Sequence, residues 1–161
     1  MEKKKKTKLL FISSTGGHLS EMLRLSPMFE KYDYHIITEK TKSNLSLGDK
    51  YPGKVDYLVY GTKKNFLVYP FKLLYNTFKS LFFYLKFRPK VIITTGTHTA
   101  GPMCIIGKIF GSKIIYIETL ANMKTKTATG RIIYHFADLF VVQWEGMLKL
   151  YPKAKYWGMI Y

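Results

Sequence analysis

Val91-Ile92-Ile93 and Ile114-Ile115-Tyr116-Ile117 place apolar side chains on both faces of any strand they form, and this constrains the fold more than any other feature of the chain. A strand without a polar side must be covered above and below, the condition met by parallel sheets flanked by helices. Further β-rich runs at 8–13, 34–38, 55–60 and 139–142 alternate with longer segments of helical periodicity. The alternation predicts βαβ units and one α/β domain, a Rossmann-like doubly wound parallel sheet. Its 161 residues, 47% hydrophobic, suffice for a single core, and no shift in composition marks a second domain.

Sheets of this kind bind ligands beyond the carboxyl ends of their strands, so the loops following those runs are the candidate site. The first apolar run stops at Ser14-Thr15-Gly16-Gly17-His18 and restarts as a helix whose Leu19, Met22 and Leu23 face inward. Glycines let a backbone approach an anion closely, and the free N–H groups of a first helical turn point at it. Thr15, Gly16 and Gly17 are therefore predicted to cradle phosphate. His18 beside them is a candidate general base, since a neutral imidazole can accept a proton.

Gly96, Thr97 and His98 repeat this logic before Thr99-Ala100-Gly101-Pro102, with Pro102 suited to opening a helix. Glu118 ends an apolar strand where a carboxylate can accept hydrogen bonds from sugar hydroxyls, and Asn122, Lys124, Lys126 and Arg131 follow in a threonine-rich loop suited to phosphates. The plain structural readings are a capping histidine, an ordinary βα turn and an exposed strand-end acid. No G-x-G-x-x-G is present, but Glu39 lies about where a ribose-binding acid would stand, so a stand-alone Rossmann nucleotide-binding protein is the alternative.

The formal charge of +16 calls for an anionic partner, and neither a groove-reading element nor an RNA-stacking motif accompanies it, so no nucleic acid is expected. Residues 1–7 read as a basic tail. The following apolar run is too short for a signal peptide or a membrane span, which predicts a cytoplasmic start. A single Cys104 and the lack of zinc spacing argue against structural disulfides and metal. Residues 40–53, rich in Ser, Asn, Gly and Pro, read as an irregular connection, and Ser26-Pro27 as the start of a short helical turn through Phe29.

Residues 66–87 crowd fifteen aromatic and aliphatic side chains into 22 positions, yet Lys72, Lys79 and Lys86 recur every seven residues. That spacing keeps the three lysines within about 40° on a helix, a narrow basic stripe beside a wide apolar face. Two readings fit: a crossover helix packed on the sheet with snorkelling lysines, and a helix lying in the plane of an anionic membrane surface, with Lys72, Lys79, Phe82, Phe83 and Lys86 as its interface.

Two segments together, Ser14-Thr15-Gly16-Gly17-His18-Leu19-Ser20-Glu21-Met22 and Tyr116-Ile117-Glu118-Thr119-Leu120-Ala121-Asn122 running on through Thr129-Gly130-Arg131 to Gln143-Trp144, carry a family signature. The chain resembles the membrane-anchoring, acceptor-side subunit of the split dolichol-pathway N-acetylglucosaminyltransferase, and more so its bacterial capsule and exopolysaccharide relatives that assist a galactosyltransferase. The resemblance covers residues 8–161. It implies the N-terminal half of a GT-B glycosyltransferase, with a separate small chain supplying the half that binds most of the UDP-sugar. Trp144, Tyr156, Trp157 and Tyr161 would then face that partner, the plain alternative being that Tyr156 and Trp157 close the last strand.

The implied reaction adds a hexose, β-galactose in its sharper form, to an undecaprenyl-pyrophosphate-linked sugar at the cytoplasmic face of a bacterial plasma membrane. The chain would be peripheral there and inactive or weakly active alone, with no cofactor and no bound metal. One departure stands out, because the eukaryotic pattern has an arginine near Asn122, whose role therefore does not transfer.

Overall fold

The structure is a computed structural model in which residues 6–61 and 67–160 are described. Seven strands, β1 (Lys8–Ser13), β2 (Asp33–Lys40), β3 (Val55–Val59), β4 (Val91–Gly96), β5 (Lys113–Ile117), β6 (Leu139–Val142) and β7 (Lys155–Tyr156), form one sheet in the order β3-β2-β1-β4-β5-β6-β7. Every neighbouring pair is parallel. The six expected strands are all present, and β7, two exposed residues long, is added at the edge.

Successive side chains of a strand point to opposite faces, and both faces are apolar here. Leu10, Ile12, Ile37, Ile92 and Ile114 pack on one side, Leu9, Phe11, Ile36, Ile93 and Ile117 on the other. The first side is covered by α3 (Tyr69–Phe87), α4 (Ala100–Ile109) and α5 (Ala128–Ile133), through Phe83, Tyr84, Met103, Cys104 and Ile133. The second is covered by α1 (Gly17–Leu23), a 3-10 turn at Ser26–Lys31 and α2 (Leu47–Lys50).

Residues 40–53 are more ordered than expected. Thr41 and Asn44 form a reciprocal capping box around a 3-10 turn, the Asn44 amide donates to Glu39 O at 2.7 Å, and Leu47 is buried. A short polar sequence that closes its own backbone hydrogen bonds through side chains looks irregular only when those pairings are invisible.

The expected amphipathic helix is α3, and the start of the predicted segment at Phe66 lies outside the described residues, as does most of the basic tail. Its polarity is inverted relative to a simple crossover helix. The inward face buries Asn76 and Ser80 beside Phe83 and Tyr84. Phe71, Leu74, Tyr75, Phe78, Phe82 and Leu85 point outward, Phe71 being 74% exposed. Phe83, expected at a membrane interface, is thus a core residue, because its position falls on the sheet-facing side of the helix.

Asn76 explains the polar inward face. Its amide donates to Val59 O at 2.8 Å and its carbonyl accepts from Val59 N–H at 2.9 Å, so it stands in for the neighbour that edge strand β3 lacks. Lys72 donates to Tyr60 O, Lys79 lies over the Tyr75 and Phe83 rings, and Lys86 comes within 4.0 Å of Asp56, so the basic stripe borders the apolar face along the β3 side.

Candidate functional site

The carboxyl ends of β1, β4 and β5 bring the three expected loops together. Ser14 N–H donates to Gly96 O at 3.0 Å, Thr97 Oγ1 donates to Ser14 Oγ at 3.3 Å, and Thr95 Oγ1 donates to His18 O at 2.7 Å. Gly96 has φ +98°, and a Cβ there would sit 3.2 Å from Tyr116 OH and 3.6 Å from the His18 ring. Only a residue without a side chain lets β4 turn at this point with the imidazole and the phenol on either side. Gly16, at φ +77° and exposed, makes the corresponding turn before α1.

His18 Nδ1 lies 2.7 Å from Thr95 O. A carbonyl can only accept, so this contact fixes the hydrogen on Nδ1, and in the neutral ring it leaves the lone pair on Nε2. The half-buried imidazole is held by β4 from both its backbone and its ring, an arrangement that can accept a proton at Nε2. Thr97 and His98 are half-buried in the second loop, and His98 Nε2 reaches Gly61 O at 3.2 Å.

The carboxylates are placed otherwise than expected. Glu118 is 1% exposed instead of standing open at the cleft edge. Its oxygens accept from Tyr151 OH at 2.8 Å, from Thr127 Oγ1 at 3.0 and 3.1 Å, and from Thr119 N–H at 3.2 Å. Burial raises its pKa, while the hydrogen bonds from Tyr151 and Thr127 pull it back. Burial likewise raises the Tyr116 and Tyr151 phenols, with Glu118 adding to both.

Thr127 caps α5 through Gly130 N–H and also meets Tyr116 OH at 3.3 Å. Glu118 therefore fastens α5 and Tyr116 beneath the loops. Gly130 is required there, since a Cβ would come within 2.7 Å of both Thr127 Oγ1 and Tyr151 OH.

Glu39 is equally closed. It is buried and accepts from Thr99 Oγ1 at 2.7 Å and from the N–H groups of Thr15 and Gly61 at 3.4 Å, which ties the first two loops together and leaves no oxygen facing outward for a ribose. Sequence reading gave Glu21 no separate role. It is buried on α1 and clamps the third loop by accepting from Thr119 Oγ1 at 3.0 Å and Leu120 N–H at 2.8 Å. Its place directly before Met22, which packs on the sheet, gave no sign of this, since the partners lie about a hundred residues away.

Asn122 turns into its own loop, accepting from Thr125, and Lys124 is exposed. Of the residues expected at a partner interface, Trp144 is instead half-buried, its indole donating to Leu120 O at 2.8 Å. Tyr156 and Trp157 are exposed, Trp157 at 69%, and Tyr161 lies outside the described residues. Among the described residues no helix is long and apolar enough to cross a membrane, and no group of three or more His, Cys, Asp or Glu is placed to hold a metal ion.

A single parallel sheet flanked by helices, with its loops gathered at the carboxyl ends, is a Rossmann-like α/β domain. MurG from Acinetobacter baumannii superposes with a TM-score of 0.69 at 16% identity, over 87% of this chain and 42% of that one. A UDP-N-acetylglucosamine 2-epimerase from Rickettsia bellii gives 0.70 at 13%, over 96% and 45%. The chain thus spans less than half of either, and the likeness is one of fold.

The sequence goes further: the chain belongs to the family of Alg14-like oligosaccharide biosynthesis proteins, whose pattern matches residues 62–160. Proteins named UDP-N-acetylglucosamine transferase subunit ALG14 match it at 26% identity in Rattus norvegicus and at 30% in Schizosaccharomyces pombe, each over 94% of this chain and 82% of the relative.

Proposed function

We propose that this protein is the acceptor-side, membrane-surface subunit of a two-chain UDP-sugar glycosyltransferase. The observation that carries the reading is the outward apolar face of α3, bordered by Lys72, Lys79 and Lys86, on the same domain as the convergent loops. A helix with that cross-section suits the boundary between headgroups and acyl chains. Family membership supports the transferase part of the reading, since the relatives are named as subunits of a UDP-N-acetylglucosamine transferase.

In this reading a separate small chain binds most of the donor and docks against the exposed Tyr156 and Trp157, and no cofactor or metal is used. The loops around Gly16, Gly17, Gly96 and Thr97 hold the phosphate end of the acceptor. His18 Nε2 takes the proton from the acceptor hydroxyl as that oxygen bonds to the sugar's anomeric carbon and UDP leaves. The sharper form is transfer of β-galactose from UDP-galactose to an undecaprenyl-pyrophosphate-linked sugar in bacterial capsule synthesis, at the cytoplasmic face of the plasma membrane. Asn122, where the eukaryotic pattern has arginine, favours that branch.

The test combines the purified chain with its donor-binding partner, a UDP-sugar and a lipid-linked sugar. Turnover should rise well above that of either chain alone, and no stimulation of an active partner would reject the reading. In the same assay His18→Gln should lower kcat/KM by ~10²-fold or more, with its pH profile altered.

A further inference from the structure

A groove of about 320 Å³ lies between the amino-terminal parts of α3 and α4 and the length of α5, lined by Tyr69, Leu73, Gly101, Pro102, Ile105 and Ile132. Among the described residues its titratable side chains are Tyr69 and His98, the latter at the end nearest the second loop. Nothing in the site described above uses this groove, although its size falls within the ~300–1,000 Å³ of small-molecule pockets.

We infer that this groove receives the hydrocarbon chain of a single-chain lipid phosphate whose anionic head reaches the loop at Gly96–His98. The identity of that lipid as the transferase acceptor rests on the function proposed above. The groove's own chemistry does not. Three observations select this occupant.

Ile105 and Ile132 belong both to the groove wall and to the exposed apolar surface, Ile132 being 58% exposed, so the groove opens on apolar surface of the same helical layer that carries the outward face of α3. A chain resting in a lipid layer can enter from the side without passing through water. Among the described residues the groove offers no ladder of backbone donors and acceptors, its walls being helical side chains, which argues against an extended peptide. Finally, its polar end meets the loop in which Gly96 and Thr97 adjoin Ser14 and His18, so an amphiphile lying in it has its head directed at the convergent loops.

The experiment titrates the full chain, isotope-labelled at isoleucine methyls, with farnesyl phosphate below its micellar concentration. Farnesol and inorganic pyrophosphate are the controls. Saturable shifts are expected at Ile105 and Ile132 and not at Ile109, which lies farther along α4 and is exposed, and each control should bind at least tenfold more weakly. Gly101→Phe fills the groove, since a Cβ at Gly101 meets nothing within 4 Å. It should weaken farnesyl phosphate at least tenfold while leaving partition onto anionic phosphatidylglycerol vesicles within twofold.

Ile132→Asn, at a residue already exposed, serves the same purpose without risk to folding. Unchanged farnesyl phosphate binding in these variants, shifts confined to Ile109, or equal loss of vesicle partition would overturn the groove. Self-association on adding lipid phosphate, with no Ile105 shift, would do the same in favour of a second copy covering the layer. Lipid-phosphate binding in a chain that fails to stimulate its partner would remove the transferase reading alone, and stimulation without such binding would remove the groove alone.

Discussion

The two helical layers of this domain cover the same sheet and bury comparable apolar floors, yet their outer surfaces differ sharply. Over one face, α1, the turn after it and α2 expose Ser20, Arg24, Glu30, Lys31, Ser43, Asp49 and Lys50, with Leu45 the large apolar exception. Over the other, α3, α4 and α5 expose Phe71, Phe78, Phe82, Ile109, Phe110 and Ile132. A core needs apolar side chains on one side of each helix only. The second layer's outward hydrophobicity is therefore surplus to folding, and contiguous exposed apolar surface of this kind marks contact with something other than water.

The contrast is broken or sharpened most directly within α3 itself. Phe83→Ala should destabilise the fold by about 3–5 kcal/mol, read from denaturant unfolding, because a buried aromatic leaves a cavity. Its neighbour Phe82→Ala should change stability by no more than ~0.5 kcal/mol while weakening vesicle partition. Equal effects of the two would erase the distinction between the faces.

Next in size, replacing Lys72, Lys79 and Lys86 together by Gln should cost up to about 3 kcal/mol of binding to anionic vesicles, at roughly 1 kcal/mol per lysine, with little change on neutral ones. Sedimentation at low and high salt separates the two contributions. Asn76→Leu makes the inward face of α3 more apolar and should nevertheless destabilise by about 1–3 kcal/mol, since Val59 loses partners for both backbone groups. A stabilised variant would show that the edge of β3 is satisfied some other way.

The smallest effect concerns Glu118. Burial raises its folded-state pKa above the unfolded value of ~4.3, so folding favours the protonated acid, and that stability is present below the unfolded pKa and lost as pH rises through the folded one. Glu118→Gln cannot ionise. Its melting temperature relative to the unsubstituted protein should therefore improve as pH is raised from ~4 towards neutrality, and a difference independent of pH would mean that the carboxylate is ionised at no cost.

The sheet was legible because apolar runs with no polar side admit few architectures. Its last strand was legible only as the alternative reading of Tyr156 and Trp157, since Lys155 and Tyr156 are exposed and too few to show a pattern. The loops were legible as a group from Gly16, Gly17 and Gly96, whose turns place them at the strand ends. The roles of the carboxylates were not.

Glu39 and Glu118 end apolar strands, and an acid there faces either the cleft or the interior depending on donors far away in sequence, Thr99 for one and Tyr151 for the other. Periodicity likewise located α3 and its lysine stripe. It could not say which apolar face turned outward, because that was decided by Asn76 finding an unpaired strand.

The α3–α5 layer is one helix thick, and in βαβ units its helices run against the strands they cover. If the layer lies on a lipid surface, the strand axes lie parallel to that surface, and the loops at their carboxyl ends open sideways along it. They also stand at a set height, one helix diameter of ~10 Å above the plane. The layer then acts as a spacer that sets how far above such a surface the loops stand.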